Sequence, residues 1–293
     1  MTDVHTTPDI ARLSGTFAIG GDLPVHRLGF GAMQLVGEGA WGEPRDRDEA
    51  MAVLRRAVEL GVTLIDTADS YGPEINELLI REALHPYPEN LLVTTKVGML
   101  HPGPGQWEAR GTPRHLKQQV ESSLRNLGLE RIDLLQLHWI DPEVPLSEQL
   151  GALVELREQG KIHHIGLTGV TREQLRSARA ITPVASVQNE YNPSLRRADD
   201  VLERCESEGI AFLPWAPIAR GELARPDSPL APLAAEHGVT PAQLALAWLL
   251  HRSPVMLPIP GTSRVAHLEE NMAAASVSLS EDEVERIAKF LAV

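Results

Sequence analysis

From residue 47 onward the chain repeats one phrase: apolar residues at helical spacing, a glycine, then a short apolar run that ends in polar residues. Four copies of the junction stand out: Glu59-Leu60-Gly61-Val62, Asn126-Leu127-Gly128-Leu129, Glu158-Gln159-Gly160-Lys161 and Ser207-Glu208-Gly209-Ile210. Glycine suits the left-handed residue that closes a helix, so each copy marks a helix stop followed by a strand start. The pattern predicts strands near Leu28–Met33, Thr63–Thr67, Leu91–Lys96, Ile132–His138, His163–Thr168, Ser186–Tyr191, Ala211–Ala216 and Val255–Ile259. Between them it predicts helices near Arg47–Leu60, Glu74–Leu84, Pro113–Leu127, Pro145–Gln159, Thr171–Ile181, Arg196–Glu208 and Pro241–His251. Eight strands alternating with helices, several apolar on both faces, favour a closed parallel α/β barrel, a (β/α)8 TIM barrel, over an open sheet.

Two pieces fall outside the alternation. Thr16–Leu28 holds Gly20-Gly21 between short β-like runs, which predicts a β-hairpin capping the bottom of the barrel. Ser280–Leu291 begins with serine, has Glu283 three residues on, and carries an apolar stripe of Val284, Ile287, Ala288 and Leu291; it predicts a capped C-terminal helix. With no linker or low-complexity tract, residues 1–293 read as one barrel domain with residues 1–14 as a flexible N-terminus.

A hydrophobic fraction of 43% supplies a full core for a chain of 293 residues. The net charge of -13 excludes a nucleic-acid partner, since the phosphate backbone needs a positive field. The first fourteen residues carry acids and prolines and no secretory apolar core, and no run approaches the roughly 20 apolar residues of a membrane span. The single cysteine, Cys205, excludes internal disulfides and a zinc-thiolate cluster, and the candidate site includes no metal ligands. The expectation is a protein of the reducing cytoplasm, with no oligomeric state legible.

The chemistry is concentrated at strand ends. Asp66, Tyr71, Lys96 and His138 sit at or just beyond the ends of three successive predicted strands, whose carboxyl ends open onto the face where such barrels keep their active sites. Singly, each is more often a cap, a packing residue or a solvated charge; together they read as a catalyst. Carbonyl reduction by hydride also requires a proton on oxygen. A tyrosine, with an ordinary pKa of about 10, can supply it only beside a cation that stabilises its phenolate. Lys96 supplies that cation, Asp66 keeps the lysine charged, and His138 donates a hydrogen bond to the carbonyl oxygen.

These residues carry a resemblance. Leu64-Ile65-Asp66-Thr67-Ala68-Asp69-Ser70-Tyr71-Gly72, then Thr95-Lys96 and Leu135-Gln136-Leu137-His138, resemble the signature of the aldo-keto reductases. The likeness continues through Gly166-Leu167-Thr168, Val187-Gln188-Asn189-Glu190-Tyr191-Asn192, Ile259-Pro260-Gly261-Thr262-Ser263-Arg264 and Glu270-Asn271. The resemblance implies an eight-stranded barrel, NADPH/NADP+ bound in an extended pose, and the tetrad above as catalyst.

A Rossmann site is absent: Gly29-Phe30-Gly31 starts like the fingerprint, but its sixth position is Gln34. The resemblance implies instead that Trp215 stacks on the nicotinamide, that Thr168 and Gln188 hydrogen-bond its carboxamide, and that Asn271 contacts the adenine. The loop Ile218-Ala219-Arg220-Gly221 offers backbone donors and a guanidinium to the pyrophosphate. Gly261-Thr262-Ser263-Arg264 leads into a helix starting near Val265, whose N-terminus favours a 2′-phosphate, and Arg264 directs the preference to NADPH over NADH. Two positions depart from the pattern: Gly169 stands where many relatives carry an asparagine that touches the carboxamide, and His267 where many carry an arginine near the ribose phosphate.

Met33 and three tryptophans, Trp41, Trp107 and Trp139, fall on the predicted rim, which suits a flat aromatic or apolar aldehyde; Trp248 reads as core. Gly31-Ala32-Met33-Gln34-Leu35, the run from Gly42 to Arg47 and Asn271-Met272-Ala273-Ala274 are similar to a bacterial subgroup with pyridoxal reductase activity, which implies reduction of pyridoxal to pyridoxine. Two alternatives stay open at this stage: a Schiff-base aldolase-type barrel with Lys96 as nucleophile, and a non-catalytic NADPH-binding regulatory subunit.

Overall fold

The computed structural model describes residues 9–291. Its strands are β1 (Thr16–Ile19), β2 (Leu23–His26), β3 (Phe30–Gly31), β4 (Leu64–Asp66), β5 (Leu92–Val97), β6 (Met99–Gly103), β7 (Gln106–Ala109), β8 (Ile132–Leu137), β9 (Ile162–Thr168), β10 (Ser186–Glu190) and β11 (Ala211–Trp215). Its helices are α1 (Arg47–Glu59), α2 (Ile75–Leu84), α3 (Pro113–Leu127), α4 (Leu146–Glu158), α5 (Arg172–Arg179), α6 (Asp199–Glu208), α7 (Ala231–Glu236), α8 (Pro241–Arg252), α9 (Val265–Ala273) and α10 (Glu281–Phe290). The helix starts follow local chemistry. Asp46 accepts the Glu49 N–H ahead of α1, and Thr171, Thr240 and Ser280 each form a reciprocal capping box with the residue three positions on. At the four repeated junctions, Gly61, Gly128, Gly160 and Gly209 have φ of 85°, 67°, 75° and 65°, the left-handed region that a side chain disfavours.

The parallel sheet runs β3-β4-β5-β8-β9-β10-β11. The eighth predicted strand, Val255–Ile259, forms only an isolated bridge from Met256 to Phe212, because Pro258 and Pro260 bring no N–H to a ladder. The segment still closes the barrel. Phe212 N–H donates to Val255 O (2.8 Å) and Leu257 N–H to Phe212 O (2.8 Å), while on the other side Gly29 N–H donates to Pro258 O (2.9 Å) and Gly31 N–H to Pro260 O (3.1 Å).

Strand alternation divides the barrel interior into layers. Leu64, Leu92, Leu134, Ala211, Leu213 and Leu257 pack with Ile19 and Val25 of the β1–β2 hairpin, which plugs the amino-terminal end as the sequence predicts. The intervening residues Ile65, Val93, Leu135 and Leu137 belong instead to the clusters under the helices. Positions of the inward parity farther along the strands are polar: Asp66, Thr94, Lys96, Gln136, Thr168 and Gln188, all buried.

The structure corrects the sequence reading in several places. Residues 1–8 of the expected flexible start lie outside the described residues, but Ala11–Ser14 form a 3-10 turn tied down by Ala11 N–H to Leu60 O (3.0 Å) and Leu28 N–H to Ser14 Oγ (2.9 Å). The antiparallel β6–β7 hairpin and α7 were not predicted; His101-Pro102-Gly103 carries turn residues inside β6 and masks its strand pattern. The capped terminal helix is present as α10, and Trp248 is fully buried, donating from Nε1 to Val284 O (2.9 Å). Among the described residues no helix is long and apolar enough to cross a membrane.

Candidate active site

At the carboxyl end of the barrel, β4 delivers Asp66, β5 delivers Lys96 and the residue after β8 is His138. Tyr71 follows β4 in the turn leading to α2; its N–H donates to Ala68 O (3.2 Å) and its carbonyl accepts from Asn76 N–H (3.2 Å). Lys96 Nζ has three neighbours: Asp66 Oδ2 at 2.5 Å, Thr67 O at 2.9 Å and Tyr71 Oη at 3.3 Å. The His138 ring meets the Tyr71 ring edge-on, with centroids 5.8 Å apart. All four predicted catalytic residues are therefore brought together.

Sequence reasoning gave no role to Gln136, Thr94 or Ser70, which hold them, and assigned Gln188 to the cofactor alone. Asp66 Oδ1 accepts from Gln136 Nε2 and Gln188 Nε2, both at 2.9 Å, and Gln136 Nε2 also reaches Thr94 Oγ1 at 3.1 Å. A glutamine inside the apolar run Ile132–Leu137 was the available signal, since a buried amide needs partners. Ser70 Oγ lies 3.2 Å from His138 Nδ1. With Ser70 donating there, Nε2 carries the imidazole proton, an assignment that rests on the hydrogen-bond pattern.

Burial is the largest influence on Tyr71 and pushes its pKa above the ordinary value; the Lys96 ammonium opposes this, while Asp66 and Asp69 add to it. The sequence reading expected Lys96 to bring the phenol down, but desolvation outweighs it. Burial alone would lower the Lys96 ammonium, yet the charges of Asp66 and Tyr71 and the hydrogen bonds to them hold its pKa above the ordinary lysine value. Burial, then the charges at Lys96 and His101, press His138 well below its usual range. The resting site thus holds a neutral phenol, an ammonium and a neutral imidazole.

The wall beyond the tetrad is aromatic. Trp107, from β7, stacks on His101 of β6 at a centroid distance of 3.8 Å, and stands 6.4 Å from Tyr71 and 6.1 Å from His138. Trp41 meets the other partner of that stack, His101, edge-on at 5.2 Å, so it forms a second layer. His101 is buried; its Nδ1 bonds Ser70 O at 2.9 Å, leaving Nε2 buried without a partner. The sequence reading passed over His101 because its loop gave no strand signal. Met33 and Trp107 line a cleft of about 300 Å³ with Gln34, Val36, Gly39 and Gly105. Trp139, half-exposed, covers Gly169, where a Cβ would overlap the indole.

The pattern of the Aldo/keto reductase family matches residues 27–292. The chain belongs to the aldo/keto reductase family. It is similar to an uncharacterized oxidoreductase of Schizosaccharomyces pombe, 48% identical across 93% of this chain and 88% of that protein. It is also similar to the pyridoxine 4-dehydrogenase of Escherichia coli, 45% identical across 92% of this chain and 96% of that protein. Among solved structures, the glycerol dehydrogenase of Gluconobacter oxydans superposes with a TM-score of 0.86 at 26% identity, covering 95% of both chains. An aldo/keto reductase of Klebsiella pneumoniae solved with NADP and acetate gives 0.79 at 27% identity, covering 94% of both chains.

In this aldo/keto reductase, the residues expected to hold a nicotinamide lie on adjacent strands. Thr168 and Gln188 are paired in register across β9 and β10, and Trp215, half-buried, ends β11 beside them. The Thr168 hydroxyl is buried with no partner, as a group awaiting a carboxamide would be. Both N–H groups of the Gln188 amide face Asp66 Oδ1 and Gln136 Oε1, which leaves its own oxygen to receive a carboxamide N–H. The Arg220 guanidinium, expected to face the pyrophosphate, pairs with Glu190 (3.2 Å) and stands over the Trp215 ring (5.4 Å). Its loop, which starts at Ile218, is strained, with Ala219 and Arg220 at φ of 50° and 53°.

Farther along the rim, Gly31 and Gly261 allow two backbones to meet; a Cβ on Gly261 would fall 2.7 Å from Gly31 O. Thr262 and Asn271 are buried, while Ser263, Arg264 and His267 are exposed around the start of α9. The N-terminus of α9 already faces an anion, since the Glu49 carboxylate accepts the Val265 N–H at 3.0 Å. A 2′-phosphate there would depend on Arg264 and His267 to offset that carboxylate.

Proposed function

We propose that the chain is an NADP(H)-dependent oxidoreductase that reduces an aldehyde or ketone to an alcohol, with pyridoxal as the substrate and pyridoxine as the product. The observation that carries the reaction class is the single ammonium of Lys96 touching both Asp66 and Tyr71, with His138 beside the phenol. The 45% identity to a pyridoxine 4-dehydrogenase supports the substrate, as does the aromatic wall of Trp107 and His101, which suits a flat heteroaromatic ring. Thr168, Gln188 and Trp215 would hold the nicotinamide, and Arg264, His267 and Asn271 the adenosine end.

The bound cofactor supplies the hydride. Tyr71 Oη gives its proton to the substrate oxygen as the carbon is reduced, so the carbonyl becomes an alcohol and the tyrosine a phenolate. That phenolate forms 3.3 Å from an ammonium already held by Asp66, and the site needs no rearrangement to stabilise it. His138, neutral, would donate from Nε2–H to the same oxygen, orienting the substrate and polarising the carbonyl. Lys96 itself is a poor Schiff-base nucleophile, because its amine is kept protonated.

The test is Tyr71→Phe assayed with NADPH and pyridoxal, beside a panel of aromatic aldehydes, ketoses and methylglyoxal. The expected loss in kcat is about 10²–10⁴-fold, with NADPH still quenching tryptophan fluorescence. Equal loss of binding and turnover would overturn the catalytic role of Tyr71. A panel in which pyridoxal is turned over no faster than the other aldehydes would overturn the substrate assignment alone.

A further inference from the structure

The base of the barrel, at the end opposite the tetrad, carries a second group of chemistry-bearing side chains. The β1–β2 turn Gly20-Gly21-Asp22 lies against the start of β9. Asp22 Oδ2 is 2.7 Å from His163 Nε2, and Asp22 Oδ1 is 2.6 Å from His164 Nε2. One ligand atom from each residue can be chosen so that all lie within 4.8 Å of one another.

Neighbouring strand residues point to opposite faces, so two adjacent histidines do not ordinarily share a partner. Here the rings fold toward each other below the sheet, with centroids 4.1 Å apart and planes at 50°. The approach of the turn depends on Gly20: its φ is +67°, and a Cβ there would overlap the His164 imidazole. A side chain at position 20 would be strained at this φ and would displace either the turn or the His164 ring.

We propose that Asp22, His163 and His164 form a binding site for a divalent transition-metal ion, best matched to Zn2+, remote from the carbonyl-reducing site. Two imidazole nitrogens and one carboxylate oxygen are a ligand set zinc accepts, with water in the fourth position. Tetrahedral bonds of about 2.0–2.1 Å place ligand atoms about 3.4 Å apart; the two present contacts, made to different carboxylate oxygens, need to open by less than about 1 Å, and the widest ligand-atom separation, within 4.8 Å, needs to close. All three side chains are partly exposed, so an ion and its water can reach them from solvent. Imidazole ligands disfavour Mg2+ and Ca2+, which take oxygen donors. On binding, the proton between each Nε2 and the carboxylate moves to Nδ1 or leaves to solvent, and the freed lone pair goes to the metal. The ion would clamp the hairpin plug onto β9.

The experiment uses the full chain without a polyhistidine tag, stripped with chelator and dialysed against ZnCl2, with metal content and thermal midpoint measured. About one Zn2+ per chain and a rise of a few degrees in Tm are expected, since an ion that binds only the folded state stabilises it. His163→Ala/His164→Ala should lose stoichiometric zinc and the Tm response. Asp22→Asn, which keeps the turn, should bind at least tenfold more weakly. Carbonyl reduction should be unchanged in both variants. Wild-type protein without stoichiometric zinc would overturn the proposal, as would variants that retain its zinc content and Tm response.

Discussion

Lys96 Nζ and Asp66 Oδ2 stand 2.5 Å apart with the lysine fully buried and the aspartate nearly so. A buried pair is costly to assemble and costlier to break, because removing one partner leaves the other charge without compensation. Lys96→Met should therefore abolish detectable reduction and destabilise the fold by about 3–5 kcal/mol. The double variant Lys96→Met/Asp66→Asn should recover part of that stability and none of the activity. Denaturant unfolding beside steady-state kinetics separates the two effects; a double variant no more stable than Lys96→Met would refute the buried-charge account.

Trp139 and Gly169 should behave as a coupled pair. The indole fills the space a side chain at 169 would need, and Gly169 has φ +65°, which asparagine tolerates better than most residues. Gly169→Asn should thus displace Trp139 and raise KM for aromatic aldehydes by up to about tenfold, the upper end of the roughly 0.5–1.5 kcal/mol an aromatic contact contributes. Adding Trp139→Ala should relieve the overlap, so the two substitutions combine non-additively. Additive effects on KM and on NADPH affinity would mean the two positions are independent.

His101→Phe keeps an aromatic ring between Trp41 and Trp107 and deletes the hydrogen bond to Ser70 O. Because that leaves a buried carbonyl without its donor, the variant should lose about 1–3 kcal/mol of stability. Turnover should fall with it, as Ser70 also contacts His138. Unfolding curves and kcat for His101→Phe that match the parent would remove His101 from the site.

All three tyrosines, Tyr71, Tyr87 and Tyr191, have pKa values raised above 10, in each case chiefly by burial. A folded pKa above the unfolded one favours the native state below the unfolded value of about 10, and the advantage is lost as pH rises through the folded value. Phenolate absorbance and loss of far-UV circular dichroism should accordingly appear together above pH 10. Phenolate in a still-folded protein near pH 10 would contradict this.

Cys205 is fully buried and its thiol is pushed up to about 12, burial being the main cause. The native protein should not react with a disulfide reagent at neutral pH, and one equivalent should appear on unfolding. Rapid labelling of folded protein would place the thiol at the surface.

Much of this was legible from residue order alone. Glycine at the four repeated junctions placed those helix ends, and the strand-end positions of Asp66, Lys96 and His138 identified the face on which they converge, because strand parity and chain direction are local properties. Other features depend on residues far apart in sequence meeting in space. The eighth strand lost its ladder to Pro258 and Pro260 yet closes the barrel, since its hydrogen bonds come from Gly29, Gly31 and Phe212. The direction of the Tyr71 shift was decided by desolvation, which only the packed site sets. His101 enters the site, and Asp22 reaches His163 and His164, through hairpins whose turn residues hide their destinations. Local patterning determined which elements form and which way their side chains face; tertiary packing decided partners, burial and charge state, because these depend on distance through space rather than along the chain.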